Sequence, residues 1–250
     1  MLMLSRERLD AVLMDLDGVL TDTARLHAAA WKALFGEALH RLAAPGGTPL
    51  PPFDADAEYR ALVDGRRRED GVRAVLAARG LALPEGSADD PPDALSVAAL
   101  AARKQALFLD ALQREGVEPI RGAAALLQAL TRAGLPVAVV SASRNCAAVL
   151  AASGLDRLVT LRVDGVEAAR LGLPGKPAPD SFLEAARRLG AAPARCAVFE
   201  DALAGVEAAH RGGFGLIVGV DRGAQVAALR EAGAHAVVAD LSEVRVEAQG

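Results

Sequence analysis

The feature that most constrains the fold of this chain is a short apolar run that ends in two aspartates near its amino terminus. Residues 11–14, Ala-Val-Leu-Met, lead into Asp15, Leu16, Asp17 and Gly18. An apolar run of this length bounded by glycine is typical of a buried strand. In parallel α/β sheets, ligands bind beyond the carboxyl ends of the strands. Two carboxylates there are costly to bury without a cation, a proton or a substrate, so the stretch predicts a core strand that ends in an acidic site.

The pattern of the remaining chain predicts an α/β protein with an insertion. Beyond residue 121, helical and strand-like segments alternate, which favours a parallel sheet with right-handed crossovers. Between residues 23 and 115 only helical periodicity is found. We therefore predict a doubly wound, Rossmann-like parallel sheet core (residues 1–22 and 116–250) with an all-helical cap domain (residues 23–115) inserted after the first strand. The other predicted strands are 136–140, 159–163, 196–199, 215–218 and 236–238. The predicted helices are 23–42, 55–63, 69–79, 94–114, 123–133, one between residues 145 and 159, 181–189, 203–211 and 224–232. Loops are predicted at 45–52, at 84–92 and from the strand that ends at 163 to residue 175.

Composition excludes several classes of function. With 52% hydrophobic and 24% charged residues, the chain is globular, and its formal net charge of −4 offers no general attraction to nucleic acid or to an anionic membrane. The amino terminus is too short and too charged for a signal peptide, and no apolar run approaches membrane-spanning length. We expect a cytoplasmic monomer with no nucleic-acid or membrane partner. Cys146 and Cys196 lack metal-ligand spacing and are expected to be buried free thiols.

Further polar residues follow other predicted strands or lie in adjoining loops. These residues are Ser141, Ser143, Lys176, Glu200 and Asp201. Taken singly, the serines are typical of a helix cap, the lysine of a solvated loop, and the acidic pair of a helix's first turn. Brought to one sheet edge with the first two aspartates, they suit one Mg²⁺ ion per active site, an anion, and a lysine that neutralises it. The combination predicts a phosphoryl-transfer site with a carboxylate nucleophile.

At this point the residues resemble a known family. The four signature motifs of the haloacid-dehalogenase-type phosphotransferases resemble four segments of this chain: Asp15-Leu16-Asp17-Gly18-Val19, Ser141-Ala142-Ser143, Lys176-Pro177-Ala178-Pro179 and Glu200-Asp201-Ala202-Leu203-Ala204-Gly205. The resemblance implies that Asp15 attacks phosphorus to form an aspartyl-phosphate and that Asp17 transfers the proton. It also implies Mg²⁺ on the Asp15 side chain, the Asp17 carbonyl and Asp201, with Glu200 as a ligand or a supporting partner. Because Asp17 is present, the dehalogenase branch, which lacks that acid, is disfavoured.

Finer similarities point to the β-phosphoglucomutase-like subgroup of this family. They lie in residues 21–34, in Arg103-Lys104-Gln105 and in Ser141-Ala142-Ser143-Arg144-Asn145. The resemblance places Thr23 at the hinge of the cap, and implies that His27 and Lys104 act on the closed cap and on Asp17. At helical spacing from Trp31, His27 is equally consistent with a packed histidine. The implied phosphate- and sugar-binding residues are Ser141, Ala142, Ser143, Arg144, Asn145 and Lys176 in the core, and Gly65, Arg66 and Arg68 in the cap.

The chain departs from the subgroup in the cap motif. Gly65 and Arg68 match it, but Asp64 and Gly71 stand where the subgroup has a lysine and a serine that hold the non-transferring phosphate. Arg66 or Arg67 are candidates to compensate, although a run of three arginines is more commonly a solvated face.

Three functions follow as alternatives. The first is Mg²⁺-dependent phosphoryl transfer on a small phosphosugar, converting β-glucose 1-phosphate to glucose 6-phosphate. The second, favoured by Asp64 and Gly71, is a sugar-phosphate phosphatase of the same family. The third is a non-enzymatic, aspartate-phosphorylated receiver-like module. It is disfavoured because the acidic pair follows the first strand and a helical insertion comes next.

Overall fold

The chain folds as two compact units. The structure, a computed structural model, describes residues 1–43, 49–223 and 225–247. One unit, here called the core unit, comprises Met1–Asp22 and Val117–Gly250, and the other, the helical unit, comprises Thr23–Gly116.

The core unit is built on a parallel sheet. Its described residues contain eight strands: β1 Leu2–Leu4, β2 Ala11–Met14, β3 Val137–Val140, β4 Leu161–Val163, β5 Cys196–Glu200, β6 Leu216–Val220, β7 Ala236–Val238 and β8 Val244–Val246. Six of them form one sheet in the order β4-β3-β2-β5-β6-β7, with every neighbouring pair parallel. Strands β1 and β8 form a separate parallel pair.

Strand β2 lies in the middle of the sheet, between β3 and β5. Val12 is opposite Val137 on one side, and Ala11 is opposite Cys196 on the other. All four residues of β2 are buried, which explains why the strand is an uninterrupted apolar run and not an alternating one. Polar residues appear only where the chain leaves the strand, so the carboxyl ends of β2, β3 and β5 bring their polar residues to one edge.

Helices cover the sheet, and the predicted α/β fold class is confirmed. Phe182 and Val206 pack against Leu13, Val140 and Val198 of three neighbouring strands. In the described residues of the core unit the helices are α4 Ala123–Arg132, α5 Cys146–Ala152, α6 Gly165–Arg170, α7 Asp180–Leu189, α8 Leu203–Arg211 and α9 Val226–Glu231, with 3₁₀ turns at Asp156–Leu158, Pro193–Arg195 and Leu241–Glu243. Those of the helical unit are α1 Ala24–Leu42, α2 Arg68–Ala77 and α3 Val97–Glu115, with a π-helical turn at Tyr59–Val63.

The helical unit has a hydrophobic core of its own. Among its described residues, 23–43 and 49–116, there are helices and no strand. Trp31 and Phe35 of α1 stack with their ring centroids 5.5 Å apart, and Phe53 lies 5.2 Å from Phe35. Val72 of α2 and Leu100 of α3 belong to the same core, so the helical unit contains its own cluster of buried apolar residues.

Several predicted elements differ from the observed ones. The predicted loop 164–175 contains α6, because Asp164 accepts hydrogen bonds from the amides of Val166 and Glu167 and so caps a new helix. Strands β1 and β8 were not predicted, since three residues are too few to show a pattern. Helix α3 begins at Val97 and not at residue 94, because the Ser96 hydroxyl caps it. The predicted loop residues 45–48 and the predicted helix start at residue 224 lie outside the described residues.

Two other features of the sequence can be compared with the structure. Cys146 and Cys196 are free and buried, as predicted. Burial raises the pKa of the Cys196 thiol to about 11, so it is protonated at neutral pH. Of the helices in the described part of the chain, none combines the length and apolar character needed to cross a bilayer.

Candidate active site

A buried lysine bridges two buried carboxylates where β2, β3 and β5 end. The amide of Asp15 donates to the carbonyl of Phe199 (3.0 Å), which extends the strand pairing by one residue and places Asp15 at the sheet edge. The ammonium group of Lys176 donates to Asp15 Oδ1 (2.5 Å), to the Val140 carbonyl (3.3 Å) and to Glu200 Oε1. The exposed fractions of the Lys176, Asp15 and Glu200 side chains are 3%, 8% and 0%. The predicted solvated-loop alternative for Lys176 is therefore wrong.

Burial and charge shift the pKa values of this array. Burial raises the pKa of the Asp15 carboxyl well above its usual value; Lys176 opposes this, while the charges of Glu200 and Asp17 add to it. Burial by itself would lower the pKa of Lys176, but the carboxylates of Asp15 and Glu200 outweigh it and raise the pKa, so the ammonium stays charged. One ammonium does not offset all the acids, and the site favours a further positive charge.

The acids at this edge form a group suited to a hard cation. Asp15, Glu200 and Asp201 each offer a carboxylate oxygen, these oxygens lie within 4.8 Å of one another, and all three residues are buried. Three carboxylates against one ammonium leave a formal charge of −2, which a divalent ion would balance. Oxygen donors in this number suit Mg²⁺, which binds through one or two carboxylates plus water and phosphate. The residues present therefore fit the predicted cofactor.

Both carboxylate oxygens of Glu200 are occupied. Its Oε1 accepts from Lys176, and its Oε2 accepts from the amide of Ala202 at 3.0 Å. A carboxylate held in this way is better placed to orient the lysine and the following loop than to bind an ion directly. Asp17 is not part of the carboxylate group, and the contribution predicted for it is its main-chain carbonyl.

Two of the acids occupy space that is open only because the neighbouring residues are glycines. Gly18 has φ +92°, and a Cβ on it would lie 1.7 Å from Oδ2 of Asp201. A Cβ on Gly205 would lie 1.8 Å from Oε1 of Glu200. Neither glycine was predicted as a site residue, although both belong to the motifs quoted above. A side chain at either position would displace an acid, so these glycines are part of the site.

Asp17 lies in a tight turn that follows β2. Its Oδ2 is 3.5 Å from the Ser141 hydroxyl, which can donate to it. The amides of Leu20 and Thr21 both donate to the carbonyl of Leu16 (2.9 Å), and the amide of Gly18 donates to the carbonyl of Thr21 (2.8 Å). These bonds close the turn on itself and give the half-buried Asp17 a defined position.

Arg222, which the sequence analysis did not select, ties this turn to the loop after β6. Its guanidinium donates to the carbonyl of Gly18 (3.1 Å) and to Oδ1 of Asp22 (2.9 Å). Asp221 in turn accepts from the amide of Gly223 at 3.0 Å and so holds the loop. A signal was available, because Arg222 is a polar residue shortly after a predicted strand, as the other site residues are.

The serine loop after β3 uses its hydroxyls to hold its own backbone. Ser141 Oγ accepts from the amide of Ser143 (3.0 Å), and Ser143 Oγ accepts from the amide of Asn145 (3.1 Å). The amides of Ser143 and Asn145 are therefore occupied by these hydroxyls. In the described part of the chain, the amides of Ala142 and Arg144 have no protein acceptor, so they are the ones available to an anion. The Arg144 side chain is exposed and lines a separate cavity, discussed below.

In the helical unit, the predicted His27 and Lys104 are in contact. Lys104 is 1% exposed, and its Nζ is hydrogen-bonded to His27 Nδ1. The His27 ring stacks on Phe108 (4.0 Å), and the ammonium lies 5.3 Å from the centroid of Trp31. When Lys104 is charged, Nδ1 must accept, so the imidazole proton is on Nε2. Thr23 is fully buried, and its carbonyl accepts a hydrogen bond from the amide of His27 (2.9 Å).

The cap motif adopts a turn followed by a helix. Gly65 has φ +67°, a conformation that favours glycine. Arg66 is half-buried. Arg68 is the first residue of α2, and its Nη1 donates a hydrogen bond to the carbonyl of Ala101 (3.4 Å). Arg67 Nη2 is buried and has no hydrogen-bond partner in the described part of the chain. These three guanidiniums are thus not a fully solvated face.

The structure therefore gathers the predicted residues within each unit. Asp15, Asp17, Ser141, Lys176, Glu200 and Asp201 meet at one sheet edge of the core unit. Within the helical unit, His27 and Lys104 form a pair, and the arginines of the cap motif lie at the start of α2.

Comparison with known proteins places this site in a family. The sequence model of the haloacid dehalogenase-like hydrolases matches residues 9–213. A β-phosphoglucomutase from Mycobacterium bovis is 50% identical over 241 residues, which cover 95% of this chain and 92% of the relative. A HAD family hydrolase from Deinococcus radiodurans R1, solved with bound phosphate and sodium, is 32% identical with a TM-score of 0.63, over 94% of this chain and 93% of that one.

The fold is shared more widely still. A β-phosphoglucomutase structure from Clostridium difficile superposes with a TM-score of 0.74 at 23% identity, over 95% of this chain and 93% of that one. The resemblance that the motifs predicted is confirmed: the chain is an enzyme of the haloacid dehalogenase-like hydrolase family and belongs to its β-phosphoglucomutase-like subgroup.

Proposed function

We propose that this enzyme transfers a phosphoryl group on a small sugar phosphate, converting β-glucose 1-phosphate to glucose 6-phosphate through an aspartyl-phosphate on Asp15. The observation that carries the proposal is the 50% identity to a β-phosphoglucomutase over nearly the whole chain, together with the buried Asp15–Lys176–Glu200 array.

In this proposal, Asp15 is the nucleophile. Lys176 holds its Oδ1, and its Oδ2 accepts no hydrogen bond from the residues that the structure describes. Attack of Oδ2 on phosphorus forms the phosphorus–aspartate bond and breaks the bond from phosphorus to the sugar oxygen. Asp17 gives its proton to that leaving oxygen. In the second half, the acceptor hydroxyl returns a proton to Asp17 as its oxygen attacks phosphorus, and the bond to Asp15 breaks.

We propose that the carboxylates of Asp15 and Asp201 and the carbonyl of Asp17 hold one Mg²⁺. Glu200 would support this site through Lys176 and the loop amide, because both its oxygens are occupied. When bound, the ion supplies positive charge against the phosphoryl oxygens. Lys176 supplies positive charge from the protein, which the buried surroundings strengthen.

The remaining predicted residues have supporting roles in this proposal. The loop at Ser141, Ala142, Ser143, Arg144 and Asn145 would hold the transferring phosphate, with Arg144 and Asn145 also holding the sugar. In the cap, Thr23 would lie at the hinge, His27 and Lys104 would tune Asp17 when the cap closes, and Gly65, Arg66 and Arg68 would hold the second phosphate.

The test is product analysis. Purified protein is incubated with β-glucose 1-phosphate, Mg²⁺ and a trace of glucose 1,6-bisphosphate, and glucose 6-phosphate and inorganic phosphate are both measured. We expect glucose 6-phosphate as the main product, its loss in Asp15→Asn and Asp17→Asn, and normal activity in Asp10→Asn. Asp10 is the matched control because it forms an exposed ion pair with Arg195 in the same unit. Undiminished turnover by Asp17→Asn would contradict its proton-transfer role.

A phosphatase is the second candidate, and one observation in the helical unit favours it. A Cβ on Gly71 would lie 3.1 Å from the Trp31 ring and 3.2 Å from Val63. The packing therefore disfavours the serine that the subgroup uses there, since its neighbours would have to move by a few tenths of an ångström, and Asp64 adds a negative charge nearby in sequence. Release of inorganic phosphate without glucose 6-phosphate would establish this alternative and exclude the mutase.

A further inference from the structure

A cavity opens on the core unit, next to the serine loop. It has a volume of about 380 Å³, within the range of small-molecule sites. The amide of Gly165 donates to the carbonyl of Ser143 (3.0 Å), so the start of α6 is packed directly against that loop. The residues that line the cavity are Arg144, Ala147, Arg162, Asp164, Val166, Glu167 and Arg188.

The acceptor groups of this cavity are already occupied. Asp164 is buried; its Oδ1 accepts the amides of Val166 and Glu167 (3.0 Å each), and its Oδ2 accepts Nε of Arg162 (2.8 Å). Both oxygens of Glu167 accept from Arg170, at 3.0 and 2.7 Å, and Oε1 also accepts from Arg188. Hydrogen bonds from Arg170 and Arg188 lower the pKa of Glu167 to about 2. The two carboxylates are therefore committed to fixed partners.

The donors, by contrast, are only partly used. Arg162 bonds through Nε alone, so its two Nη groups donate to none of the described residues. Arg188 uses Nε toward Glu184 and Nη2 toward Glu167 and keeps Nη1. Arg144 is exposed and makes no hydrogen bond or ion pair with the part of the chain that the structure describes. A molecule that enters the cavity therefore meets guanidinium donors, whose planar forks match the oxygens of phosphate.

We propose that this cavity binds a phosphate-bearing anion, held by Arg162 and Arg188, with Arg144 of the serine loop at its edge. Arg162 on β4 and Arg188 on α7 thus present unused guanidinium donors to the same cavity. The proposal does not rest on the function proposed above, because neither Arg162 nor Arg188 belongs to the acidic group at Asp15 or to the residues assigned there to the substrate.

The test follows backbone amide shifts of ¹⁵N-labelled protein during titration with sodium phosphate at constant ionic strength, without divalent cations. We expect saturable shifts at Gly165, Val166 and Glu167, which line or adjoin the cavity. A parallel titration with sodium chloride is the control for salt. Shifts that do not saturate, or that chloride reproduces, would overturn the proposal.

Variants then assign the site. Arg162→Gln and Arg188→Gln are each expected to raise the half-saturating phosphate concentration at these amides about tenfold or more, the loss of one charge-assisted contact. Arg211→Gln removes an equal charge from an exposed ion pair on α8 and should leave the titration unchanged. Arg188→Gln removes two ion pairs and could disturb folding. Arg162 is exposed and has one ion pair, so Arg162→Gln tests the assignment with less effect on the fold. Equal half-saturation in Arg162→Gln and the wild type would refute the assignment.

A second titration identifies the source of the phosphate group. Glucose 6-phosphate replaces inorganic phosphate under the same conditions. Tighter binding of the sugar phosphate at the same amides would identify an organic phosphate as the ligand, and equal or weaker binding would identify free phosphate. Shifts at Gly18 and Ala202 report the acidic site separately, so failure at one site is distinguishable from failure at the other.

Discussion

The contact between Gly18 and Asp201 leads to a sharp prediction. Gly18→Ala places a methyl carbon 1.7 Å from Asp201 Oδ2, whereas Cβ atoms essentially never come closer than 3.0 Å to another heavy atom. The carboxylate must therefore move by about 1.3 Å, or the turn must open. A misplacement of about 1 Å in a catalytic group costs roughly 100-fold in rate, which corresponds to about 2.7 kcal/mol.

The backbone contributes a separate and smaller effect. Gly18 has φ +92°, so alanine there also pays a left-handed conformational cost of about 1–2 kcal/mol in unfolding free energy. Gly190→Ala is the matched control, because Gly190 has φ +68°, ends α7 in the same unit and has no heavy atom within 4 Å of the added Cβ. The control carries the backbone cost without displacing an acid.

The assay measures kcat/KM for β-glucose 1-phosphate as the sum of glucose 6-phosphate and inorganic phosphate formed, and urea unfolding in parallel. We expect Gly18→Ala to lose about 100-fold in kcat/KM, whereas Gly190→Ala loses comparable stability but almost no activity. If Gly18→Ala retained kcat/KM within about threefold of Gly190→Ala, the inference that this glycine makes room for Asp201 would be refuted.

Three further predictions concern other contacts of the core unit. Lys176→Met should lower the free energy of unfolding by about 3–5 kcal/mol, since it leaves the buried Asp15 and Glu200 without their bridging ammonium; a urea midpoint close to the wild type's would contradict this. Arg222→Gln should lower kcat/KM more than it lowers the free energy of unfolding, because its partner Asp22 is half exposed and such an ion pair contributes at most about 1 kcal/mol to stability. A double-mutant cycle with Asp22→Asn measures the coupling between the two side chains, and strictly additive effects would contradict the prediction. Hydrogen bonds from Arg187 and Arg188 lower the pKa of Glu184 from 4.5 to about 2, so its stabilisation is complete above pH 4.5 and is lost as pH falls through about 2; Glu184→Gln should flatten that part of the stability curve, and an unchanged acid limb would argue against it.

The parts of the fold that could be predicted are those in which burial produces a local pattern of apolar residues in the sequence. Strand β2 is an unbroken apolar run because both its faces and both its edges are covered, and Asp15 follows as soon as that cover ends. Strands β1 and β8 pair residues from opposite ends of the chain over only three positions, so no window of sequence contains their signal.

The candidate site shows the same division. The acids were predictable because their positions after strands follow from sheet geometry. Lys176 was predicted by motif, but its burial was not, because it depends on the carbonyl of Val140 and the carboxylate of Glu200 from two other strands. The Arg222 contacts to the turn after β2 likewise join residues about 200 positions apart.

The cap motif shows how a departure from a family pattern can have a structural cause. Position 71 is glycine where the subgroup has serine, which first suggests that a contact to phosphate has been lost. However, Gly71 is buried, and an added Cβ would press on Trp31, whose ring stacks on Phe35 in the centre of the helical unit. Packing favours glycine here, so the absence of the serine donor has a structural cause. A mutase built on this chain must take that donor from elsewhere, and Arg67, with Nη2 buried and unbonded in the described part of the chain, has one to offer.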